Sequence, residues 1–344
     1  MTTPPTPTGP GPARVILCPG QGAQVVGMGK AWSERSPEAR RVFERADEVL
    51  AGRLPGGVAL SQLCFEGPVE QLNRTDVSQP AIYVASVASW HGLLASWGCG
   101  SAWSGTGSAA KESHVVATAG LSLGEYTALH IAGAFSFEDG LELVSLRGKA
   151  MQEAADAIRQ SDGTPGSGMV AIIGADESQV NELCNRARVG DVLVAANFNA
   201  PGQIVISGSI AACRRAVEVA GDMGLRATAL PVAGAFHSSL MQPAADRLSK
   251  ALRATTVHRP ACPVMSNVTG AVHEAAASST MEETIRARLV EQLTHPVKWE
   301  QDCRALAQQW AGKAEFHELA PGKTLAGLYR RIDKNVKVEA HDEA

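Results

Sequence analysis

Between residues 119 and 129 the chain reads Ala119-Gly120-Leu121-Ser122-Leu123-Gly124-Glu125-Tyr126-Thr127-Ala128-Leu129, which contains a Gly-x-Ser-x-Gly pattern. The apolar run at 115–119 before it predicts a short buried strand, and residues 125–132 after it predict the start of a helix. A serine in such a turn lies above the edge of the sheet, where amide groups at the helix N-terminus can stabilise an oxyanion. The pattern therefore predicts an α/β fold with Ser122 as nucleophile; the alternative is an ordinary Gly/Ser turn.

The composition is that of a globular protein with a large core. The chain has 344 residues, of which 45% are hydrophobic and 19% charged, and its formal net charge is -4. It contains neither a long basic run nor an apolar run long enough to span a bilayer, so we expect no nucleic acid or membrane partner. Residues 1–13 lack the features of a signal peptide and are predicted to be a disordered tail.

The cysteines give the second compositional constraint. All seven are scattered along the chain, and none forms a Cys-x-x-Cys pair. We therefore expect neither a disulfide framework nor a zinc site, and no metal in the functional site. A reducing, cytoplasmic location fits this pattern best.

The first strand is predicted at 14–18 and is followed by Pro19-Gly20-Gln21-Gly22-Ala23-Gln24. A dinucleotide-binding loop is excluded because Val25 stands where the third glycine is needed, and no acidic residue ends a clear second strand. The alternative is a loop that brings backbone amides and Gln21 to the carboxyl edge of the sheet, where ligands of α/β proteins bind.

An arginine lies on the apolar face of a predicted helix. The capping pattern at 136–139 starts this helix, and its apolar stripe includes Val144 and Met151. Arg147 shares that face. Two interpretations remain open: a snorkelling or internally ion-paired side chain, or a clamp for an anion, because a guanidinium matches a carboxylate with two parallel hydrogen bonds.

A small inserted domain is predicted after the Gly- and Pro-rich linker at 161–168. Strands at 169–174, 192–196, 203–207 and 226–232 and helices at 177–187 and 210–223 follow the order βαββαβ, which is typical of a ferredoxin-like domain. We predict this domain at 164–232, inserted into a large α/β-hydrolase-like domain at 14–163 and 233–344 with a central, mostly parallel sheet. The cleft between the two is the expected ligand site.

A candidate base follows the inserted domain. His237 lies in the segment 233–239, between a predicted strand and a helix that starts near residue 240. A helix N-terminus disfavours the charged imidazolium, so His237 is predicted to be the neutral base for Ser122. The remaining chain is predicted to form a strand at 263–267, helices near 281–293 and 300–311, a strand at 315–319, a last helix and an edge strand at 336–338.

From about Arg14 to Arg331 the chain resembles the malonyl-CoA:acyl carrier protein transacylase family, the acyltransferases of type II fatty acid synthesis. The resemblance is carried by several short segments in the same order. These segments are residues 19–24, 120–125, 146–152, 197–203, 235–238, 266–270, 292–293 with 296–299, and 321–323.

The resemblance implies a covalent transfer. Ser122 would attack the thioester of malonyl-CoA and carry the malonyl group, and His237 would take the serine proton and return it to the leaving thiol. The backbone carbonyl of Gln292 would orient the histidine, and the backbone N–H groups of Leu123 and Gln21 would form the oxyanion hole. No cofactor is implied, and the reaction would follow ping-pong kinetics.

The same resemblance implies a substrate-binding set. Arg147 would hold the malonyl carboxylate, and Phe236 is similar to family members that select malonyl over methylmalonyl-type units. The set is completed by Asn199, Gln79 and Asn267. The implied partners are malonyl-CoA and a holo acyl carrier protein, and we expect a monomer.

Two departures from the family and three alternatives stay open. Leu121 stands where the family commonly has histidine, which removes a polar neighbour of the nucleophile, and the polar loop at 98–113 is longer than usual. One alternative is an acyltransferase of a polyketide or polyunsaturated fatty acid pathway. A second is a serine thioesterase or other hydrolase, for which Asp162 and Asp191 are the available acids between the serine and the histidine. The third is a non-catalytic carrier-binding paralogue.

Overall fold

The computed structural model describes residues 11–99, 108–275 and 277–343. The strands in these ranges are β1 (Arg14–Cys18), β2 (Val115–Gly120), β3 (Ser167–Ile173), β4 (Leu193–Ala200), β5 (Gln203–Ser209), β6 (Arg226–Ala229), β7 (Met265–Ser266), β8 (Ala271–Val272), β9 (Glu315–Leu319) and β10 (Val338–His341).

Helices make up most of the remaining described chain. They are α1 (Lys30–Arg35), α2 (Pro37–Val49), α3 (Leu60–Glu66), α4 (Val69–Leu72), α5 (Thr75–Ser96), α6 (Ser108–Glu112), α7 (Gly124–Ile131), α8 (Phe137–Asp156), α9 (Glu177–Arg188), α10 (Ile210–Asp222), α11 (Gln242–Ala254), α12 (Met281–Glu291), α13 (Trp299–Trp310) and α14 (Thr324–Ile332).

The central sheet has the strand order β10-β9-β1-β2, and every pair in it is parallel. Strand β1 lies inside this sheet, and its Val15, Ile16 and Leu17 have no exposed surface. An uninterrupted apolar strand is expected in a parallel sheet that is covered on both faces. The predicted α/β fold with a central parallel sheet is confirmed, and the edge strand lies at 338–341 rather than 336–338.

A second sheet has the order β4-β5-β3-β6 and is antiparallel throughout. Helices α9 and α10 pack on it. Together they enclose an apolar cluster of their own, which includes Ile172, Leu183 and Ile206. This segment therefore has a core separate from that of the central sheet.

Two helices carry residues of the predicted site. Helix α5 is buried along almost its whole length, as expected for a helix that is apolar on all sides, and it packs against α8. A side chain at Gly148 of α8 would come within 2.6 Å of the Thr75 carbonyl oxygen, so glycine is needed for this close approach. No helix in the described ranges combines the length and apolar character needed to cross a membrane.

Two predicted irregular segments lie partly outside the described residues. Residues 100–107 of the predicted loop at 98–113 lie outside the described residues. Residues 108–112 form α6, so the loop prediction is wrong for this part. Alanine, lysine and glutamate in this stretch favour a helix, and Ala110 is buried against the core. Of the predicted disordered tail at 1–13, residues 1–10 lie outside; the Gly11 carbonyl oxygen lies 2.7 Å from Nδ1 of His114.

Candidate active site

The nucleophile turn joins the end of β2 at Gly120 to the start of α7 at Gly124. Ser122 has a φ of 54°, a left-handed conformation that is strained for a serine and typical of a nucleophile turn. Both glycines are required by close backbone contacts. A Cβ atom at Gly120 would lie 1.9 Å from the Gly124 carbonyl carbon, and one at Gly124 would lie 2.1 Å from the Cys18 carbonyl oxygen.

Ser122 is hydrogen-bonded to His237, which also has a left-handed φ of 59°. The Ser122 Oγ to His237 Nε2 distance is 2.9 Å, and His237 Nδ1 lies 2.7 Å from the backbone oxygen of Gln292. A carbonyl oxygen can only accept, so Nδ1 must carry the proton, and the neutral ring then offers the bare Nε2 to the serine hydroxyl. The contacts therefore place the histidine in the tautomer that a general base requires.

The environment of His237 lowers its pKa to about 4. Burial is the largest cause, because it disfavours the charged imidazolium, and the positive charge of Arg147 is the second. The sequence prediction attributed a neutral base to a helix N-terminus, but the structure points to burial and the arginine instead. His237 is thus neutral over the whole physiological pH range.

We expect the reactivity of Ser122 to have an acidic limb near pH 4 to 5, well below the ordinary histidine range. The base is neutral above its pKa, so reactivity is lost as pH falls through that value and is flat between about pH 6 and 8. Inactivation rates with a sulfonyl fluoride, which has no ionisable group in this range, measure this limb. Circular dichroism at each pH controls for unfolding, and a limb near pH 6.5 would contradict the assignment.

Arg147 lies beside the serine and is 1% exposed. Its Nη2 donates to Ser122 Oγ and to Gln292 Oε1, both at 3.0 Å, and its Nη1 donates to Gln79 Oε1 at 2.7 Å. Among the described residues no carboxylate forms an ion pair with this guanidinium, although buried Glu125 is near enough for its charge to act on it, and the Arg147 Nε has no hydrogen-bond partner. Burial lowers the pKa of Arg147. The described residues therefore form no direct ion pair with Arg147, and the anion clamp stays a prediction.

A buried hydrogen-bond network holds the backbone of the nucleophile turn in place. Asn267 Oδ1 accepts from the Ser122 amide at 2.6 Å, and Asn267 Nδ2 donates to the Gly120 carbonyl and to Asp302 Oδ2, both at 2.9 Å. The Glu125 carboxylate accepts from the Asn267 amide at 3.1 Å and from Gln292 Nε2 at 2.7 Å. The network thus fixes the backbone on both sides of Ser122.

Two residues predicted to bind substrate are placed elsewhere. Asn267 has no exposed surface and lies under the turn, and Gln79 has no exposed surface and contacts Arg147. In this structure both side chains hold other residues of the site, Asn267 the Ser122 amide and Gln79 the Arg147 guanidinium. Direct contact of Asn267 or Gln79 with a substrate stays a prediction.

We expect Asn267→Ala to lower the free energy of unfolding by about 3 kcal/mol, because it leaves the Ser122 amide, the Gly120 carbonyl and one Asp302 oxygen without partners. Transfer activity should fall at least tenfold as the turn loosens. Urea unfolding and initial rates measure the two effects. Asn335→Ala, on the surface, is the matched control and should change stability by less than about 0.5 kcal/mol. Full activity in the Asn267 variant would exclude the positioning role.

The network contains residues that the sequence analysis missed. Glu125 is also bonded to His273, with Oε1 to Nε2 at 2.8 Å. Burial, followed by the charge of Glu125, raises the pKa of Asp302 well above its usual value. Asp302 lies on the same helix face as Trp299 and Leu306, and an acid on an apolar stripe was the available signal. The Gln292 side chain was missed as well, since only its carbonyl was predicted.

Ser122 lines a cavity of about 490 Å³ that lies between the two sheets. Phe236 and Asn199 line it as predicted, together with Leu121. The opposite wall comes from the antiparallel sheet and includes Met169 and Val205. The Asn199 Oδ1 atom is buried and has no hydrogen-bond partner in the described part of the chain.

One of the two predicted oxyanion donors lines this cavity, and the other follows the serine in the chain. Gln21 lines it on the first loop, and Leu123 is the residue after the serine. The backbone N–H groups of both residues donate no hydrogen bond to any described residue. Two unpaired amides beside a nucleophile are what an oxyanion hole requires.

Comparison with known proteins gives a consistent result. Residues 15–334 match the sequence model of the acyl transferase domain family. The chain is 38% identical over 330 residues to the malonyl CoA-acyl carrier protein transacylase of Bacillus subtilis (strain 168), covering 94% of this chain and 92% of that protein.

Solved structures agree. The malonyl-CoA:acyl carrier protein transacylase of Xanthomonas oryzae pv. oryzae has a TM-score of 0.82 at 39% identity, covering 96% of this chain and 95% of the other. A malonyl-transacylase solved in complex with its type II PKS acyl-carrier protein has a TM-score of 0.81 at 33% identity, covering 96% of both chains.

Proposed function

The chain belongs to the acyl transferase domain family, as a member of its malonyl CoA-acyl carrier protein transacylases, and we propose from this that it transfers malonyl from malonyl-CoA to the phosphopantetheine thiol of an acyl carrier protein. One observation carries the choice of substrate. The buried guanidinium of Arg147, without a carboxylate partner in the described chain, lies 3.0 Å from the nucleophile Ser122. A buried cation is strongly stabilised by an anion, and a carboxylate on the acyl group supplies one.

The first half of the reaction forms a malonyl ester. Ser122 Oγ attacks the thioester carbon while its proton passes to His237 Nε2, and the Gln292 carbonyl holds the resulting imidazolium in place. The amides of Gln21 and Leu123 receive the negative oxygen of the tetrahedral intermediate. The carbon–sulfur bond then breaks, and the proton moves from His237 to the sulfur of coenzyme A.

The second half repeats these steps with the carrier. The carrier thiol gives its proton to His237 and attacks the ester carbon, and Ser122 leaves and recovers the proton. Exchange of a thioester through an ester is nearly balanced in energy, so we propose that no cofactor takes part. Asn199 lines the cavity, so this residue is proposed to lie beside the bound substrate.

The acyl group is proposed to lie between Arg147 and Phe236. Phe236 is 5% exposed and lines the cavity next to the base. A rigid aromatic ring there leaves little room for a branch on the carbon between the two carbonyl groups. This supports malonyl over methylmalonyl-type units. The leucine at 121 also lines the cavity, so the side that commonly carries histidine is apolar in this protein.

The hydrolase alternative requires an acidic side chain that orients His237. His237 Nδ1 lies 2.7 Å from the Gln292 backbone oxygen rather than beside a carboxylate. Asp162 is exposed, and Asp191 is paired with Arg215 at 2.6 Å. Neither acid takes part in the site.

Intact-protein mass spectrometry tests the proposed function. With malonyl-CoA we expect one malonyl adduct, which Ser122→Ala should lack, and addition of a holo acyl carrier protein should move the adduct to the carrier thiol. An adduct lost to water at the same rate with and without carrier would favour the hydrolase. Absence of any adduct on the wild-type protein would favour a non-catalytic paralogue.

A polyketide pathway is a second candidate, favoured by the similarity to the malonyl-transacylase that was solved with a type II PKS acyl-carrier protein. The same mass measurement separates the two pathways. Equal amounts of a fatty acid carrier and a polyketide carrier are offered to the malonylated protein, and the faster acceptor identifies the pathway.

We also propose the finer domain division expected from the sequence, a ferredoxin-like unit at 164–232 within an α/β-hydrolase-like domain at 14–163 and 233–344. The antiparallel order β4-β5-β3-β6 and the separate apolar cluster support it. A monomeric, cytoplasmic protein without nucleic acid or membrane partners remains part of this proposal. The seven cysteines, all free thiols, are compatible with it.

A further inference from the structure

Two Glu-x-His sequences lie side by side at the edge of the central sheet. Strand β9 contains Glu315-Phe316-His317, and β10 contains Glu339-Ala340-His341. The strands are parallel, and His317 is paired in register with Glu339. Since alternate residues of a strand share a face, all four polar side chains lie on one face of this strand pair.

Three of these side chains converge. His317 Nδ1 lies 3.0 Å from His341 Nε2 and 3.9 Å from Glu339 Oε2, and the three donor atoms are all within 4.8 Å of one another. Two nitrogens bound to a tetrahedral zinc ion at 2.0–2.1 Å lie roughly 3.3 Å apart. The observed spacing therefore needs only a small adjustment to surround an ion.

The histidines are held in place by their surroundings. His317 is 3% exposed, and its ring contacts Trp97 with 5.2 Å between ring centroids. The backbone oxygen of His341 accepts from Trp32 Nε1 at 3.0 Å.

The charges around the cluster favour a cation. The second nitrogen of His317, Nε2, has no hydrogen-bond partner in the described chain, but Glu315 Oε2 lies 3.5 Å from it. A carboxylate on the free nitrogen of a ligating histidine fixes the ring and raises its basicity. The opposing charge is Arg14, whose guanidinium stacks on Trp97 at 4.1 Å, and the two glutamates outweigh it.

We propose that His317, His341 and Glu339 bind a divalent transition-metal ion of the zinc type, with Glu315 orienting His317. Two imidazoles and a carboxylate are a donor set that suits zinc, and water completes the fourth position. The ion would link the edge strand β10 to β9. Scattered cysteines gave no sign of this site in the sequence, because its ligands are histidine and glutamate on strands far apart in the chain.

Equilibrium dialysis of the full, untagged chain against Zn²⁺ tests the proposal. We expect about one additional zinc ion per chain in the wild type compared with a Glu339→Gln/His341→Ala double variant, and at least tenfold weaker binding in either single variant. Both positions lie on the edge strand and at least partly in solvent, so the fold should survive. His258→Ala, an exposed histidine outside the cluster, is the matched control and should bind like the wild type.

A second readout is thermal unfolding with and without Zn²⁺. Binding to the folded chain should raise the wild-type midpoint by at least about 2 °C at saturating zinc, and the double variant should show no rise. Equal zinc content in the wild type and the double variant, or equal shifts, would overturn the proposal. In that case the 3.0 Å contact is a hydrogen bond between two imidazoles and nothing more. Neither readout depends on transfer activity.

Discussion

Ser122→Ala, His237→Ala and the double variant are all expected to lose malonyl transfer by about 10⁴- to 10⁶-fold, and by nearly the same factor. The serine and histidine are expected to act as one unit, because the proton leaves Ser122 and returns to it across the 2.9 Å contact between Oγ and Nε2. Once one partner is gone, the other has no further contribution to lose. What remains is the activity that binding and the oxyanion donors supply.

Transfer from radiolabelled malonyl-CoA to a holo carrier protein measures these losses. Each variant must be purified away from the transacylase of the expression host. Even a trace of that active enzyme would mask a 10⁴- to 10⁶-fold loss of activity in the variant. Unfolding curves should stay close to those of the wild type for Ser122→Ala. A double variant whose fold-loss of activity equals the product of the two single fold-losses would contradict a serine–histidine unit. More than about 1% of wild-type activity in His237→Ala would contradict it as well.

Arg147→Ala is expected to reduce malonyl transfer about 10²- to 10³-fold and to leave acetyl transfer equal or improved. The carboxylate of a malonyl group bound in the cavity would lose the buried guanidinium beside it, and breaking a buried charge pair costs about 3–5 kcal/mol. An acetyl group has no carboxylate and loses nothing. Removal of the guanidinium also takes a positive charge away from His237, whose pKa should rise.

The two acyl groups must be compared on the same protein preparations. The ratio of kcat/KM for malonyl-CoA and acetyl-CoA is the decisive quantity, because it cancels any general damage to the site. Arg147→Lys should fall between the wild type and Arg147→Ala, since it keeps the charge but loses the paired geometry. Arg186→Ala, at an exposed arginine of α9, is the control. Equal losses for both acyl groups would make Arg147 a structural residue.

The parts of the site that sequence could predict are those with a local signal. The turn around Ser122 follows from five residues, because strand, glycines and helix start are adjacent in the chain. His237 was found by its junction, although burial rather than a helix end turned out to be the cause of its lowered pKa. Arg147 was found because a charge on an apolar helix face is unusual.

The residues that sequence could not place depend on contacts between distant segments. Asn267 reaches the Ser122 amide across 145 residues of chain, and no periodicity indicates that approach. Glu125 was noted only as part of the turn, and its pairing with buried His273 depends on the hairpin of β7 and β8. The order of strands in the second sheet is likewise a property of tertiary packing, which the βαββαβ pattern alone does not determine.

The two walls of the cavity come from different sheets, so the nucleophile and the opposite wall belong to separate parts of the fold. Ser122 and its supports belong to the turn after β2, whereas Met169 and Val205 on the other wall belong to β3 and β5. Substitutions in the second wall can therefore alter which acyl chains are accepted while leaving the reacting atoms undisturbed. A protein engineer who wants a new extender unit should change Phe236, which is proposed to lie beside the acyl group, together with that wall, and keep the nucleophile turn constant.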